Sequence, residues 1–407
     1  MKLLPIIYLG YMFVSIYFLS LYLFLYFNNR KHLFDYPEAK RKYSISVLVP
    51  AWNEEETIKD TIEHILAVDY PIKELIVLND GSTDNTRKIV EELLKKYPKL
   101  KLINKANSGK GDSLNKGIKI AKGELIVVVD ADSYPDKDSF KKLVGFFDDE
   151  KVGAATCVFV PRQANKFIEK MQIMEYNVIA FTRKLLGYVD AIYVTPGPLA
   201  MYRKSTLEKV GGFDIKNLTE DIEITWKLTY AGYERRMCLA TNATTTVPDN
   251  VKMWYKQRRR WNVGGLQCIA KYRKHFLKKG MLGMFILPFF FLQLFLGALG
   301  LSILFYLIVT RIISNYLLVT YSIPVGVPVL TMNDVFVTPS FLNYLGAILF
   351  VVGLIFTFLV LYIMKDTVLE KQNLFNVLFY SMVYLTMYPF IMISAVYHYF
   401  KREKRWW

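Results

Sequence analysis

Residues 45–80, ISVLVPAWNEEETIKDTIEHILAVDYPIKELIVLND, contain two apolar runs separated by a segment with helical periodicity. The first run, 45–51, is short and rich in β-branched residues, and the second, 74–80, repeats that composition. Between the runs, apolar side chains keep the spacing of one helix face: Ile58, Ile62, Ile65 and Leu66. This order predicts a strand, a helix and a second strand, and two strands joined through a helix pair in parallel.

The alternation of strand and helix signals continues as far as residue 132. STDNTRKIVEELLKKY, residues 82–97, predicts a helix with Ser82 and Asp84 as caps, and ELIVVVDAD, residues 124–132, predicts a buried strand. We therefore expect an α/β domain with a parallel sheet covered by helices on both faces. In such sheets ligands bind at the carboxyl ends of the strands. Polar segments stand at three of these ends: PAWNEEE (50–56), NDGSTDNT (79–86) and DADSYPD (130–136).

Four long apolar runs predict that the chain is a membrane protein. Each run lacks Asp, Glu, Lys and Arg, and each is longer than the ~20 helical residues that cross a bilayer core. They are residues 3–29, 280–310, 335–364 and 372–400. No small-residue cleavage pattern follows the first run, so we expect a retained anchor rather than a signal peptide.

The predicted organisation places a soluble domain between membrane helices. Its parts are a transmembrane helix (1–29), an α/β domain (43–248), an interfacial helix region (249–280), a region of about three transmembrane helices (281–400) and a basic tail (401–407). Four crossings leave the tail KREKRWW outside, against the charge rule, whereas five bring it inside. The proline-interrupted stretch TYSIPVGVPVLTMND, residues 320–334, favours four.

Positive charge is concentrated at both edges of the predicted soluble domain. Lys and Arg number 52 against 36 Asp and Glu, and residues 252–279 contain ten cations and no acid. A second basic group follows the first apolar run, at residues 30–42. The positive-inside rule therefore predicts a multi-pass plasma-membrane protein whose soluble domain is cytoplasmic, with the lipid bilayer as a partner. Charge at the membrane edges, rather than over one soluble face, argues against nucleic-acid binding.

Carboxylates and one lysine at the strand ends are the first candidate site residues. Asp130 and Asp132, two apart on an extended segment, share a face and can bind one divalent cation, although a polar turn explains them equally simply. Asp80 follows the second strand and can contact a polar ligand. The glycine-rich NSGKGDSLNKG carries Lys110, a candidate contact for a diphosphate. The three cysteines show neither metal-binding nor disulfide spacing.

Two later segments contain further candidates. LTEDIEITWKLTYAG predicts a helix that begins after Thr219, with Glu220 and Asp221 in its first turn, where the helix dipole alone also favours acids. WYKQRRRWNVGG, residues 254–265, has the basic and aromatic composition of a helix at a membrane surface.

Seven segments of this chain, taken together, resemble one enzyme family. In chain order they are VLVPAWNEEETI, LNDGSTDNT, NSGKGDSLNKG, VVVDADSYPD, VTPGPLAMYRK, LTEDIEIT and QRRRW. This order is similar to that of membrane-integrated family 2 glycosyltransferases, the processive group with cellulose, chitin, hyaluronan and poly-N-acetylglucosamine synthases. The resemblance covers about residues 43–265. It implies a Rossmann-like GT-A domain inserted between transmembrane helices, a UDP-sugar donor and Mg²⁺ or Mn²⁺ as cofactor.

The resemblance also implies a role for individual residues on the donor side. Asp80 would contact the uracil and Lys110 the diphosphate, while Asp130 and Asp132 would bind the nucleotide and its metal. Gln257 and Arg260, with Trp261, match the Q-x-x-R-W motif, whose Arg resembles a diphosphate clamp.

On the acceptor side, Asp221 of T-E-D would be the general base, and Trp261 would pack against the acceptor sugar. The other acceptor-side residues implied are Gly197, Pro198, Leu199, Arg203 and Glu220. Lys256, Arg258 and Arg259, between and beside the motif positions, are expected to face the membrane surface. Thr195 and Pro196 depart from the small or Cys residues of other members.

The expected activity is inverting transfer of a sugar, N-acetylglucosamine or a related one, to the end of a growing β-linked polysaccharide that passes through the membrane segments. One alternative is a non-processive transferase that adds a single sugar to a polyprenyl phosphate or another lipid. A third hypothesis is a transporter or channel with a regulatory nucleotide domain.

Overall fold

Four parallel strands form the amino-terminal half of the sheet. In the computed structural model, β1 (Ile45–Ala51) lies between β2 (Ile72–Asn79) and β4 (Leu125–Val128), and β3 (Leu100–Asn104) pairs with the outer edge of β2. Every residue of β1 is buried, as expected for a parallel strand with helices on both faces. The parallel α/β arrangement predicted from the sequence is confirmed here. The structure describes residues 3–278, 280–325, 341–364 and 374–401.

The second half of the sheet has mixed strand directions and was not predicted. β7 (Ala200–Arg203) runs antiparallel to β4, and β6 (Val152–Pro161) runs antiparallel to β7. β8 (Glu234–Thr245) pairs in parallel with β6 and antiparallel with the short β5 (Ser133–Pro135). The eight strands lie in the order β3-β2-β1-β4-β7-β6-β8-β5.

The helices of the soluble part cover the sheet and connect its strands. They are α2 (Ile58–Leu66), α3 (Thr86–Leu94), α4 (Lys110–Ile120), α5 (Ser139–Val144), α6 (Phe167–Gly187), α7 (Lys204–Lys209), α8 (Glu220–Tyr230) and α9 (Val251–Tyr272), with 3₁₀ turns at Gly145–Asp148 and Arg273–His275. On α2 the predicted face packs inward, with Ile58, Ile62 and Ile65 fully buried. At α3 the N-cap is Asn85, and the carboxylate of Asp84 accepts the backbone N–H of Thr86.

Within the part of the chain that the structure describes, four helices are long and apolar enough to cross a membrane. They span Pro5–Asn29, Leu282–Tyr321, Tyr344–Ile363 and Leu374–Lys401. Their regular parts are α1 (Leu3–Asn29), α10 (Leu287–Val325), α11 (Phe341–Ile363), α12 (Leu374–Phe379) and α13 (Met387–Lys401), with π-helical turns at Leu282–Ile286 and Tyr380–Tyr384. Residues 326–334 of the proline-interrupted connection and 402–407 of the basic tail lie outside the described residues.

Helices α6 and α9 join the sheet to the membrane helices. Phe181 and Leu185 of α6 pack in one cluster with Leu25 of α1 and Val360 of α11. On the other side, α9 packs against α8 closely enough that a Cβ on Gly264 would lie 2.0 Å from Oγ1 of Thr219. Because no side chain fits there, this glycine allows α9 to touch the start of α8.

Candidate active site

A cavity of about 720 Å³ opens at the carboxyl ends of β1, β2 and β4. Its other walls come from α6, α8 and α9 and from the first turns of α10 and α13. Most of the predicted site residues line it: Asp80, Lys110, Asp130, Asp132, Gly197, Pro198, Glu220, Asp221, Gln257, Arg260 and Trp261. Motifs that are up to about half the chain apart in sequence are therefore brought together around one space.

Asp80 anchors the loop that precedes α4. Its carboxylate accepts the backbone N–H groups of Ser108 and Gly109, at 2.9 and 2.8 Å, and pairs with the ammonium of Lys105. The side chain still borders the cavity. Gly109 has φ +96°, a value that glycine adopts without strain. Asp80 therefore fixes the position of the loop that carries Lys110 into the site.

Lys110 lies between two carboxylates of the cavity. Its ammonium is 2.7 Å from Oδ1 of Asp130 and 2.7 Å from Oε1 of Glu220. These carboxylates, together with Asp221, hold the pKa of Lys110 above its ordinary value although burial acts against its charge. A Cβ on Gly197 would lie 2.6 Å from both the Lys110 ammonium and the Asp130 carboxylate. This close approach explains why the segment after Pro196 has glycine at that position.

Asp130 and Asp132 lie beyond the end of β4, in a turn. The strand ends at Val128, and the backbone N–H of Ser133 donates to the carbonyl of Asp130 at 3.0 Å. The two side chains therefore approach each other through the turn, so the expectation that they share the face of an extended strand is corrected.

The charges around Asp132 suit a divalent cation. Burial and, after it, the neighbouring carboxylates of Asp130 and Glu54 together raise the pKa of Asp132 to about 7. Such crowding of acids is relieved by a bound cation. Within the described residues, no group of three or more His, Cys, Asp or Glu side chains could hold a metal ion. The donor set fits Mg²⁺ or Mn²⁺ held by one or two carboxylates, with substrate phosphates and water completing the shell.

Asp221 stands in the first turn of α8 with one oxygen engaged. Its Oδ1 accepts the backbone N–H of Ile222 at 2.9 Å. Burial raises the pKa of Asp221 to about 6, the charge of Glu220 acts in the same direction, and Lys110 opposes both. A carboxylate with this pKa is ionised at neutral pH and is a stronger base than an exposed aspartate.

Thr195, noted in the sequence as a departure from related chains, connects the Gly197 segment to α8. Its backbone N–H donates to Oγ1 of Thr225 at 2.9 Å, and its hydroxyl lies 2.8 Å from Thr225 and 2.9 Å from the Tyr202 hydroxyl. Thr225 in turn donates to the backbone carbonyl of Asp221 at 2.6 Å. Thr195 thereby fixes the loop over the cavity relative to the helix that carries Asp221.

Gln257, Arg260 and Trp261 all project from α9 toward the cavity, as their spacing predicts. The charge of Arg260 helps to lower the pKa of Glu220, after the larger effect of Lys110. Arg260 thus contributes positive charge to the same half of the site as Lys110.

Arg258 contradicts the expectation that it faces the membrane surface. It is fully buried and forms a bidentate pair with Glu175 of α6, with nitrogen-to-oxygen distances of 2.8 and 2.6 Å. Its guanidinium also lies 4.2 Å from the centre of the Trp261 ring. Arg259 likewise contacts another helix, since its Nη1 is 3.0 Å from Nε2 of His398. Of the three cations assigned to the surface, Lys256 is the exposed one.

The Glu175–Arg258 pair also includes the carboxy-terminal membrane segment. The hydroxyls of Tyr384 and Tyr388 both donate to the Glu175 carboxylate, which is itself buried. One ion pair therefore connects α6, α9 and the start of α13, directly behind Trp261. Glu175, one of two acids in the sequence of α6, is the only sequence signal for this arrangement.

The structure does not bring Leu199 and Arg203 to the cavity. Leu199 is fully buried in the hydrophobic core. Arg203 pairs in register with Leu125 at the start of β4, which is the end of that strand opposite the site. Its guanidinium donates to the carbonyls of Phe147 and Asp149, at 2.7 and 3.0 Å. Their positions support structural roles rather than acceptor binding.

Glu54, Tyr176 and Arg183 are among the cavity residues that the sequence analysis missed. Glu54 follows β1 in the polar segment PAWNEEE, and Tyr176 and Arg183 belong to α6. For Glu54 the strand-end position was a usable signal. The two α6 residues gave none, because the inward face of a helix that is covered on several sides cannot be deduced from its periodicity.

Comparisons with known proteins agree with this geometry. The family model for glycosyl transferase family 2 matches residues 46–211. The chain is 30% identical over 392 residues to a poly-β-1,6-N-acetyl-D-glucosamine synthase of Staphylococcus epidermidis, with 94% of this chain and 90% of the relative covered. It is 32% identical over 382 residues to the probable glycosyltransferase YdaM of Bacillus subtilis, with 89% and 86% covered.

Among solved structures, the mannosyltransferase PcManGT from Pyrobaculum calidifontis, in complex with GDP-Man and Mn²⁺, is similar with a TM-score of 0.63. The match covers 97% of this chain and 99% of that one at 20% identity, so it bears on the fold alone. The predicted GT-A fold and the predicted family are both confirmed. The chain belongs to glycosyl transferase family 2, in its polysaccharide-synthase group.

Proposed function

We propose that the protein transfers N-acetylglucosamine from UDP-N-acetylglucosamine to the end of a growing β-1,6-linked chain, with inversion at the anomeric carbon. The observation that carries this proposal is the single cavity that Asp221 and Trp261 line together with the Lys110–Asp130–Glu220 cluster. The sugar and the linkage come from the Staphylococcus epidermidis relative, which aligns over nearly the whole chain.

In this proposal the donor diphosphate binds beside Lys110 and Arg260. Negative charge accumulates on UDP as the bond to the sugar breaks, so these two cations stabilise the transition state more than the ground state. Lys110 is already held by Asp130 and Glu220, which reduces the cost of orienting it during the reaction. The role of Asp80 is to hold the Lys110 loop and, as its place at the cavity suggests, to contact the uracil.

Asp130 and Asp132 would hold Mg²⁺ or Mn²⁺, which supplies charge neutralisation to the diphosphate. Glu54, whose charge adds to theirs, increases the affinity of this corner for a cation. The metal dependence of the enzyme and the identity of the metal are parts of the proposal.

The acceptor hydroxyl is activated by Asp221. Its Oδ1 is engaged with the backbone of Ile222, so Oδ2 is the oxygen that accepts the hydroxyl proton. The acceptor oxygen then attacks the anomeric carbon on the face opposite UDP, and the bond to UDP breaks in the same step. One displacement converts an α-linked donor into a β-linked product. Trp261 provides the apolar platform against which the acceptor sugar packs.

The membrane arrangement extends the proposal to location and export. Basic residues at both edges of the GT-A domain favour a cytoplasmic domain and a plasma-membrane protein. The cavity reaches Gln293 of α10 and Tyr388 of α13, so its far end lies among the helices that are apolar enough to span the bilayer. We propose that the product leaves by this end.

The test is to incubate the purified full-length protein with labelled UDP-N-acetylglucosamine, with and without Mg²⁺ or Mn²⁺. We expect metal-dependent release of UDP and a ladder of products that an enzyme specific for β-1,6-linked N-acetylglucosamine degrades. UDP-glucose, UDP-glucuronate and UDP-N-acetylgalactosamine serve as donor controls. A single lipid-linked sugar would instead support the non-processive alternative, and degradation-resistant ladders would contradict the proposed linkage.

A further inference from the structure

One face of α6 forms a wall of the cavity. Tyr176, Ile179, Ala180 and Arg183 all line it, and their spacing of three, four and seven residues places them on one side of the helix. Arg183 lies at the end of this row whose neighbours, Phe181 and Leu185, pack against α1 and α11. This wall is distinct from the strand ends that carry the donor-side carboxylates.

The guanidinium of Arg183 is buried, and it has a hydrogen-bond donor that is not paired within the described part of the protein. Only 4% of its surface is exposed, and its Nε has no hydrogen-bond partner among the described residues. Burial lowers the pKa of Arg183, and the nearby Tyr193 and Asp221 oppose that effect in part. Leaving a buried donor unpaired costs free energy, and the cost is larger for a charged group.

Two other buried arginines of the same domain show the usual solution. Arg258 forms the bidentate pair with Glu175 already described. Arg235, which is also fully buried, lies 3.2 Å from a carboxylate oxygen of Asp190 and donates to the carbonyls of Asp190 and Tyr233. Arg183 differs from both in bordering a large cavity, so its partner can be a ligand.

The surroundings of Arg183 indicate which ligand this is. Apart from the carboxylate of Asp221, whose charge acts on Arg183, the cavity side chains considered on this side are aromatic or neutral: Tyr176, Tyr193 and, from α10, Gln293. The ring of Tyr193 packs 4.9 Å from that of Phe290, which places this corner beside the first turn of α10. The cations and carboxylates that suit a nucleotide diphosphate are instead clustered at Lys110. A neutral sugar chain has the hydroxyl and amide oxygens that a guanidinium needs, and it matches the aromatic walls.

We propose that Arg183 binds the acceptor glycan, donating hydrogen bonds to a hydroxyl or N-acetyl oxygen of the sugar chain on the membrane side of Asp221. This inference rests on the proposed function and adds an acceptor-contacting residue to it. Arg183 holds the chain in line with the base, while Trp261 supports the terminal sugar from α9.

The experiment compares Arg183→Met with Lys184→Met in the full-length enzyme. Lys184 is the matched control, since it is a buried cation on the same helix whose ammonium donates to the carbonyl of Met237 away from the active-site cavity. At saturating UDP-N-acetylglucosamine, we expect Arg183→Met to raise the KM for soluble N-acetylglucosamine oligomers roughly 10- to 100-fold, the range for loss of a charged hydrogen bond. The Kd for UDP-N-acetylglucosamine stays within about twofold, and Lys184→Met leaves the acceptor KM unchanged.

Arg183→Lys provides the second measurement and retains a buried cation if Arg183→Met does not fold. It keeps the charge but not the planar pair of donors, so we expect an intermediate acceptor KM. The proposal is overturned if the acceptor KM does not change in any Arg183 variant, if the donor Kd changes with it, or if Lys184→Met has the same effect.

The wild-type reaction separates failure of this inference from failure of the proposed function. If wild-type enzyme makes a polymer and the Arg183 variants bind oligomers normally, Arg183 is a structural residue and the proposed function stands. If the wild-type product is a single lipid-linked sugar and Arg183→Met raises the KM for the lipid phosphate, both proposals fall, because Arg183 then binds phosphate.

Discussion

The cavity has a donor half, around Lys110, and a membrane half, around Arg183. The polar side chains of the two halves differ in whether they already have partners within the protein. In the donor half, Lys110, Asp130 and Glu220 are paired with one another before any substrate binds. In the membrane half, Tyr176, Tyr193 and Gln293 line the cavity together with Arg183, whose Nε has no partner among the described residues. The donor is the same molecule in every cycle, so a preorganised charged site suits it. A chain that must advance by one sugar is better served by aromatic surfaces with few fixed contacts.

In the donor half, the largest effect on the reaction rate is expected from Asp221→Asn. The amide keeps the shape of the side chain but cannot accept the acceptor proton, and a general base contributes roughly 10²–10⁴-fold to rate. We expect UDP release to fall by about 10³-fold while the Kd for UDP-N-acetylglucosamine stays nearly constant. Asp214→Asn is the control, because that carboxylate pairs with Lys271 outside the cavity. Equal loss of donor binding and rate would refute the role of base.

Glu175→Gln, which breaks the ion pair with Arg258, is also expected to have a large effect, in this case on the stability of the protein. The substitution leaves the Arg258 charge buried without an ionised partner, and breaking such a pair costs about 3–5 kcal/mol of stability. Thermal unfolding in detergent measures this loss. Glu169→Gln on the same helix is the control, since Glu169 accepts the backbone N–H of Lys166 and not an arginine.

The double variant Glu175→Gln, Arg258→Gln sharpens this test. If the two side chains act as a pair, the stability lost in the double variant is smaller than the sum of the single losses. Strictly additive losses would show that Glu175 stabilises the protein through Tyr384 and Tyr388 alone.

The pH dependence of the reaction tests the donor half without a substitution. The pKa of Asp221 is raised to about 6, and the base must be ionised to act. The rate is therefore at its plateau above that pH and falls as pH decreases through about 6, with about a tenfold loss one unit below it. Initial rates of UDP release between about pH 4.5 and about pH 8, at saturating substrates, measure this profile, which should fit the titration of a single proton. A flat profile would exclude Asp221 as the titrating base.

The smallest effect is expected from Trp261→Ala, which removes the platform between the two halves. Aromatic contacts contribute about 0.5–1.5 kcal/mol beyond their buried area, so we expect the acceptor KM to rise roughly two- to tenfold. Products should become shorter while donor affinity is retained. Trp261→Phe, which keeps a ring over which Arg258 can lie, should recover most of the product length. Loss of donor affinity in both variants would contradict an acceptor role.

The sequence was most informative where local rules determine position. The strand ends placed Asp80 and Asp130 correctly, and the helical spacing of Gln257, Arg260 and Trp261 predicted their common face. In contrast, the sequence suggested a surface role for Arg258. Its partner Glu175 lies 83 residues away, and the tyrosine that completes the pair lies 209 residues from Glu175. No periodicity encodes such contacts, because they depend on the packing of three helices.

The positions of Arg203 and Arg183 were not predicted for the same reason, because they too depend on how distant parts of the chain pack together. Arg203 shares a segment with Gly197 in the sequence, but β7 runs antiparallel to β4 and carries it to the far end of the sheet. The sequence did not predict a site role for Arg183, because a cation on an amphipathic helix usually faces solvent. Only the sheet behind α6 and the membrane helices beside it show that this residue points into the site.

The link between Glu175 and the two tyrosines has a consequence for biosynthesis. Chain synthesis proceeds from the amino terminus, so α6 and α9 are complete before Tyr384 and Tyr388 have been added. Until the last membrane segment is in place, the carboxylate behind Trp261 lacks two of its donors. A nascent chain therefore has an unfinished set of contacts behind Trp261, and this wall of the cavity is completed only together with the last membrane segment.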